Sequence, residues 1–306
     1  MRGRGGFIGA NVTPASAALN SAASGVWTVR EAEAMRRAGT WPRAPIFGFG
    51  ASLQLWLDAS DASTLYDSTS GGALVAADGA VARWEDKSGN ARHAKQATSD
   101  SRPQRKVGVF NGLDILRFDG SDDFLDSTDF LDLTSGQQIT IVAAVKSAVT
   151  GVIQTIVSKY GKSSFSISST ADGWMWRLLD SNKVDFSGGT DEGGGVSRRL
   201  SDNTVSASGL TVLTVKAAAG SLSGATLYRN SSTIASSATA SNAETLEDTS
   251  YAVTVGALRY TFNHTSGKYL QFFNGDIAEI IVYNSALSDA DRNNVESYLM
   301  SKWGIT

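Results

Sequence analysis

The 306-residue sequence contains no cysteine, only 4 prolines and only 2 histidines. The missing cysteine excludes disulfides, Cys-ligated zinc, iron–sulfur clusters and thiol nucleophiles. His93 sits in a polar, turn-rich stretch and His264 in a loop-like Asn-His-Thr-Ser run, and neither has a partner at metal-ligand spacing. No run of about 18 apolar residues occurs, so no membrane insertion is expected. Charge is sparse and nearly balanced: 27 Lys+Arg against 30 Asp+Glu give a net charge of −3, which argues against a nucleic-acid partner. The basic start Met1-Arg2-Gly3-Arg4 is followed by a stretch broken by Gly, Asn, Thr and Pro, a poor core for an export signal.

What is abundant is glycine, at 31 residues, spread among short segments of alternating apolar and polar side chains. Leu53–Asp58, Leu113–Phe118, Ile139–Val145, Ile153–Val157, Ser164–Ser168, Trp174–Leu179, Leu210–Val215, Ala225–Tyr228, Tyr251–Leu258 and Gly275–Tyr283 each read as a strand. Strands at this spacing, without helices between them, predict a mostly β, two-sheet antiparallel sandwich. One helix closes the chain, with Ser288 as its cap and Lys302-Trp303-Gly304 as its end. Residues 188–209 are glycine-rich with almost no large apolar side chain, and read as a long loop.

The first 50 residues differ in character. They are small and polar apart from a short helix predicted over 28–39, which opens on a Thr28-x-x-Glu31 capping box and is flanked by Trp27 and Trp41. Val29 and Met35 are its main apolar residues, too few to fold alone. The helix docks either on its own domain or in a partner, where tryptophans make strong anchors. Pro42, Pro45 and Gly48-Phe49-Gly50 form a linker, so the expected division is 1–50 and 51–306.

Several stretches taken together resemble a known family. Leu55-Trp56-Leu57-Asp58-Ala59, Trp84-Glu85-Asp86-Lys87-Ser88-Gly89-Asn90 and Leu116-Arg117-Phe118-Asp119-Gly120 lead to the most specific one, Asn274-Gly275-Asp276-Ile277-Ala278-Glu279-Ile280-Ile281-Val282-Tyr283-Asn284. With the helix that follows, these are similar to the laminin-G-like, concanavalin A-like jelly-roll domains of phage and bacterial surface proteins. The resemblance spans roughly residues 51–306 and implies a jelly roll that binds sugars or protein surfaces. Phe7-Ile8-Gly9-Ala10 and the stretch from Gly25 to Pro42 resemble a short segment at the start of tailed-phage structural proteins. That implies attachment or oligomerisation through Phe7, Ile8, Trp27, Val29, Met35 and Trp41.

No matched catalytic constellation is visible. The Glu-x-Asp-x-x-Glu pattern of jelly-roll glycosidases does not occur, and Glu85 and Glu279 are the carboxylates a hydrolase would have to recruit. Trp174 and Trp176 share one strand face: turned outward they form a platform for sugar rings, turned inward they are core. Tyr260, His264 and Tyr269 border a second possible carbohydrate site. Asp119, Asp122 and Asp123 offer oxygen ligands of the kind calcium takes, although they do not form an EF-hand loop and also suit a plain turn. No other cofactor is expected.

The expected protein is therefore a tailed-phage virion component, assembled in the host cytoplasm and displayed on the particle exterior. Residues 1–50 join it to other virion proteins and sibling chains, and the jelly roll meets host surface glycan as a tail fibre or adhesin. A capsid decoration or head-fibre protein is the structural alternative, and a glycan hydrolase is the enzymatic one.

Overall fold

The computed structural model describes residues 52–133, 137–160, 173–189, 196–204, 209–218, 222–239, 250–261 and 267–306. The proposed N-terminal segment, with Phe7, Ile8, Trp27, Val29, Met35 and Trp41, lies outside the described residues, as does the strand expected at 164–168.

The first strands are β1 (Leu53–Asp58), β2 (Leu65–Tyr66), β3 (Arg83–Trp84), β4 (Ala94–Lys95), β5 (Gln104–Phe110), β6 (Leu113–Asp119) and β7 (Leu125–Asp126). Long central strands follow: β8 (Ile139–Ser147), β9 (Gln154–Tyr160), β10 (Gly173–Leu178), β11 (Val184–Gly189), β12 (Val196–Ser201) and β13 (Thr211–Ala217). Then come β14 (Thr226–Arg229), β15 (Ser232–Thr233), β16 (Ser236–Thr239), β17 (Thr254–Val255), β18 (Leu258–Thr261), β19 (Gly267–Leu270) and β20 (Asn274–Tyr283). Helix α1 (Asp289–Trp303) ends the chain.

Two antiparallel sheets result. One has eight strands in the order β15-β14-β13-β8-β20-β6-β5, with β1 also on β20; the other has ten, in the order β16-β12-β11-β10-β9-β17-β7-β4-β3-β2. Strand β20 explains how eight fit: Asn274–Ile277 pair with β6, while Glu279–Tyr283 pair with β1, so two strands lie end to end along one edge. Gly275 makes the close pairing with β8 possible. At φ +147° a Cβ there would lie 2.1 Å from the Lys146 carbonyl oxygen.

The period-two pattern does what it predicts. Inward side chains of both sheets, among them Leu55, Leu57, Trp84, Phe118, Ile141, Val157, Trp174, Trp176, Phe186 and Val282, form one apolar core. A second apolar layer lies on the outer face of the eight-stranded sheet. There Trp56, Val142, Ala278, Ile281 and Tyr283 meet Val295, Leu299 and Trp303 of α1. The helix starts as its sequence predicts, with Ser288 Oγ accepting from Asp291 N at 3.1 Å. It stops at Gly304, whose φ of +66° is left-handed.

Two expectations are corrected. Residues 188–209 are not one loop, because Val196–Ser201 form β12 in their midst. The Ser197-Arg198-Arg199 run hides this strand from any reading based on apolar alternation. The single strand expected over 251–258 is instead the two-residue β17 followed by the start of the β18–β19 hairpin, with Gly256 at φ +84° breaking the run between them.

Candidate functional site

Helix α1 covers the outer face of the eight-stranded sheet, which leaves the outer face of the ten-stranded sheet. Register shows what lies there. Arg83 pairs with Lys95, Lys95 with Asp126, Asp126 with Thr254, and Thr254 with Ser158. The row continues from Ser158 to Met175, Ser187, Arg198 and Thr239. From β3 to β11, each member's neighbour along its strand that points the other way, such as Trp84, Leu125, Val255, Val157, Trp174 or Phe186, belongs to the apolar core, whereas the neighbours of Arg198 on β12 are Ser197 and Arg199. One sheet therefore turns an apolar face inward and a row that is polar except for Met175 the other way, although Arg83, Thr254, Ser158, Met175 and Ser187 of that row are themselves buried.

The strongest polar grouping on this face joins β10, β11 and β12. Asp185 is fully buried and lies between two arginines. Its Oδ2 accepts from Arg177 Nε at 3.0 Å, from Arg177 Nη2 at 2.9 Å and from Ser187 Oγ at 2.8 Å. Its Oδ1 accepts from Arg198 Nε at 3.0 Å and Arg198 Nη2 at 2.8 Å. Arg177 Nη1 reaches Gln271 Oε1 at 3.2 Å, and that oxygen also accepts from Thr155 Oγ1 at 3.3 Å. Among the described residues, one carboxylate against two guanidiniums leaves a local excess of positive charge.

The β18–β19 hairpin stands beside this floor. Leu258 packs with Tyr160 and Met175. Tyr269 stacks on Phe124, with ring centroids 3.7 Å apart, and its hydroxyl donates to Asp126 Oδ2. Thr254 Oγ1 donates to the other Asp126 oxygen at 2.6 Å. Burial raises the Asp126 carboxyl above its ordinary range, although both hydrogen bonds oppose the shift. Burial and the Asp126 carboxylate likewise raise the Tyr269 phenol. Tyr269 thus belongs to this face, while Tyr260 lies on β18 opposite Lys268. His264 lies outside the described residues.

The tryptophan platform is a correction. Trp174 and Trp176 are 1% and 0% exposed and point into the core between the sheets. Parity placed them correctly on one face, but that face is the inner one. Trp174 Nε1 donates to the Leu131 carbonyl at 3.0 Å, so even its polar edge is committed.

The acidic turn does come together. Ligand oxygens of Asp119, Asp122 and Asp123 lie within 4.8 Å of one another. Asp123 Oδ2 accepts from Asp119 N at 2.9 Å, and Asp119 Oδ1 accepts from Ser121 N at 2.8 Å, bonds that close the turn itself. Burial, reinforced by the Asp119 and Asp122 charges, pushes the Asp123 carboxyl up to about 7. Among the described residues, these three carboxylates form the one group of three or more acidic side chains close enough together to hold a calcium ion.

Glu279 sits in a different environment. It is fully buried under α1 and accepts from Trp56 Nε1 at 2.7 Å, Lys302 Nζ at 2.6 Å and Trp303 Nε1 at 2.9 Å. Glu85 lies elsewhere, accepting from Arg83 Nε at 3.1 Å. Residues missed from sequence were Arg177, Asp185, Ser187 and Arg198. The only available signal was alternation of polar residues with Trp176, Phe186 and other apolar ones, and β12 carries too little of it.

Comparison with known proteins supplies the wider setting. The family model described as "Concanavalin A-like lectin/glucanases superfamily" matches residues 119–291. No curated protein matches the sequence. Among solved structures, domain 4 of an extracellular arabinanase from Geobacillus stearothermophilus, in complex with arabinotriose, is similar at a TM-score of 0.51 and 13% identity. That likeness covers 80% of this chain and 98% of the other. The botulinum neurotoxin serotype D binding domain is similar at 0.50 and 13% identity, over 84% of this chain and 53% of the other. The binding domain of Paraclostridial mosquitocidal protein 1 gives 0.50 and 15% identity, over 81% and 52%. These likenesses establish a shared fold.

Proposed function

The chain belongs to the concanavalin A-like lectin/glucanases superfamily, and we propose that its sandwich is a glycan-binding module. The observation that carries this reading is the polar outer face of the ten-stranded sheet, with the Arg177–Asp185–Arg198 grouping on its floor. Sugars are bound by arrays of fixed donors and acceptors, and an antiparallel sheet presents such arrays rigidly. The opposite outer face is occupied by α1 and cannot serve. The similar arabinanase domain, solved with arabinotriose, supports a sugar ligand for this fold.

The action is binding without chemistry. Glu279 is fully buried and engaged by two indoles and a lysine, and Glu85 is paired with Arg83. A glycan array with the full chain tests binding, and saturable binding to at least one glycan is expected. A reducing-sugar assay on the bound glycans should show no release. Turnover would replace this reading with the hydrolase.

The wider role we propose is a tailed-phage virion component, a tail fibre or adhesin, displayed on the particle exterior and bound through residues 1–50 to other virion proteins and sibling chains. The resemblance of the Phe7–Ala10 and Gly25–Pro42 stretches to phage structural proteins supports it. Repeated copies on one particle would turn weak single-site binding into strong attachment. Deletion of 1–50 should abolish incorporation into particles, and normal incorporation of the truncated chain would remove this reading. Labelling that spreads over the head lattice instead of the tail would favour the decoration protein.

A further inference from the structure

The two arginines on the sheet face do different jobs. Arg177 uses Nε and Nη2 on Asp185, Nη2 again on Ser187 at 3.3 Å, and Nη1 on Gln271. Four of its five N–H groups are engaged, and its side chain is 15% exposed. Arg198 uses only its Nε/Nη2 edge, both atoms on Asp185 Oδ1. Its end-on fork, made by Nη1 and the second Nη2 hydrogen, meets no acceptor among the described residues. Its side chain is 27% exposed.

A guanidinium held from one edge by a buried carboxylate has lost its conformational freedom before any ligand arrives. The Asp185 charge is already shared with Arg177, so Arg198 is not neutralised by its anchor. What remains is a fixed, cationic, planar pair of donors on the outer face of the sheet. Such a fork matches the two oxygens of an oxyanion.

We infer that Arg198 is the specificity-determining residue of the glycan site and that the ligand is an acidic glycan, whose carboxylate or phosphate docks on the free Nη1/Nη2 fork. Asp185 and Arg177 are positioning residues, and Ser187 and Gln271 complete their hydrogen bonds. This inference rests on the glycan-binding reading given above. A neutral sugar would leave the fork without a charged partner, and an oxyanion gains two charge-assisted hydrogen bonds there.

The test uses the full chain on an array holding neutral glycans, carboxylated glycans with their carboxyl-reduced counterparts, and phosphorylated glycans with their dephosphorylated counterparts. Binding should concentrate on acidic members, fall about tenfold or more when the acid is removed, and weaken with added salt. Loss on carboxyl reduction identifies a carboxylate, and loss on dephosphorylation identifies a phosphate. Arg198→Ala should remove the preference while the chain still unfolds cooperatively, at a lower melting temperature because the buried Asp185 Oδ1 loses its donors. Arg198→Lys retains the charge without the fork and should restore little of the affinity. Binding to neutral glycans that Arg198→Ala leaves intact would overturn this inference and leave the glycan-binding reading standing. Binding to no member of the array would overturn both.

Discussion

Trp303, at the last turn of α1, donates its indole N–H to Glu279 Oε2 at 2.9 Å, fastening the helix to the middle of β20. Trp56 donates to the other Glu279 oxygen, and Lys302 bridges Glu279 to Asp58. Burial and the Asp58 charge push the Glu279 carboxyl up to about 7. Burial acts on Asp58 in the same direction, yet Lys302 and Lys87 hold that carboxyl below its ordinary value.

Removing Glu279 should therefore cost more than its size suggests. Glu279→Ala strands two buried indole donors and unbalances Lys302, so a loss of about 3–5 kcal/mol is expected. Urea denaturation of the full chain measures it. A loss below about 1 kcal/mol would mean that α1 is held by apolar contacts alone.

The two core tryptophans separate packing from hydrogen bonding. Trp174→Phe and Trp176→Phe remove the same atoms, but Trp174 Nε1 bonds the Leu131 carbonyl while Trp176 Nε1 is a buried donor with no partner among the described residues. Trp174→Phe should be the more destabilising by about 1–3 kcal/mol, because it leaves a carbonyl unpaired. Equal losses in thermal and urea unfolding would show that the Leu131 bond contributes nothing.

Asp123 makes stability depend on pH. Its folded value of about 7 lies above the unfolded carboxylate value of about 3.9. The folded chain therefore holds this proton more tightly. The stabilisation is fully present below about pH 3.9 and is lost as pH rises through about 7. Asp123→Asn should flatten the wild-type decline in melting temperature between those limits. Calcium held by Asp119, Asp122 and Asp123 would favour the ionised forms and flatten the wild-type profile in the same way. A profile unmoved by millimolar calcium would leave the three carboxylates as a turn only.

Asp185 is the structural centre of the candidate site. Asp185→Ala leaves two guanidiniums without their shared counter-charge, and the loss should fall near the lower end of about 3–5 kcal/mol. The arginines are 15% and 27% exposed, so water offsets part of the cost. Glycan affinity should fall together with stability, whereas Arg198→Lys, which keeps a cation beside Asp185, should lower affinity with a much smaller loss of stability. Unfolding curves measured beside binding curves separate the two.

The strands that could be read most plainly in advance are those buried on both faces. Leu53–Asp58, Ile139–Ser147 and Asn274–Tyr283 carry runs of apolar residues that only a packed sheet can bury. Ser288 and Gly304 mark the helix ends because each satisfies backbone geometry locally. The acidic turn was also legible, since its three aspartates are close in sequence. Arg198 and Asp185 were not. They are 13 residues apart on strands whose pairing no local pattern specifies, and β12 has too few apolar residues to announce itself.

The sequence by itself determined a cysteine-free, mostly β chain closed by one capped helix. It also determined that Trp174 and Trp176 share a face, because alternation along a strand is a local property of the backbone. Only the tertiary structure decided which face is inside, since that depends on where the second sheet and α1 pack. The same long-range choice buried both tryptophans and set Arg177, Asp185 and Arg198 together on the outer face. Among the described residues, strand register and not sequence neighbourhood brings one carboxylate between two arginines and leaves the end-on fork of Arg198 without an acceptor.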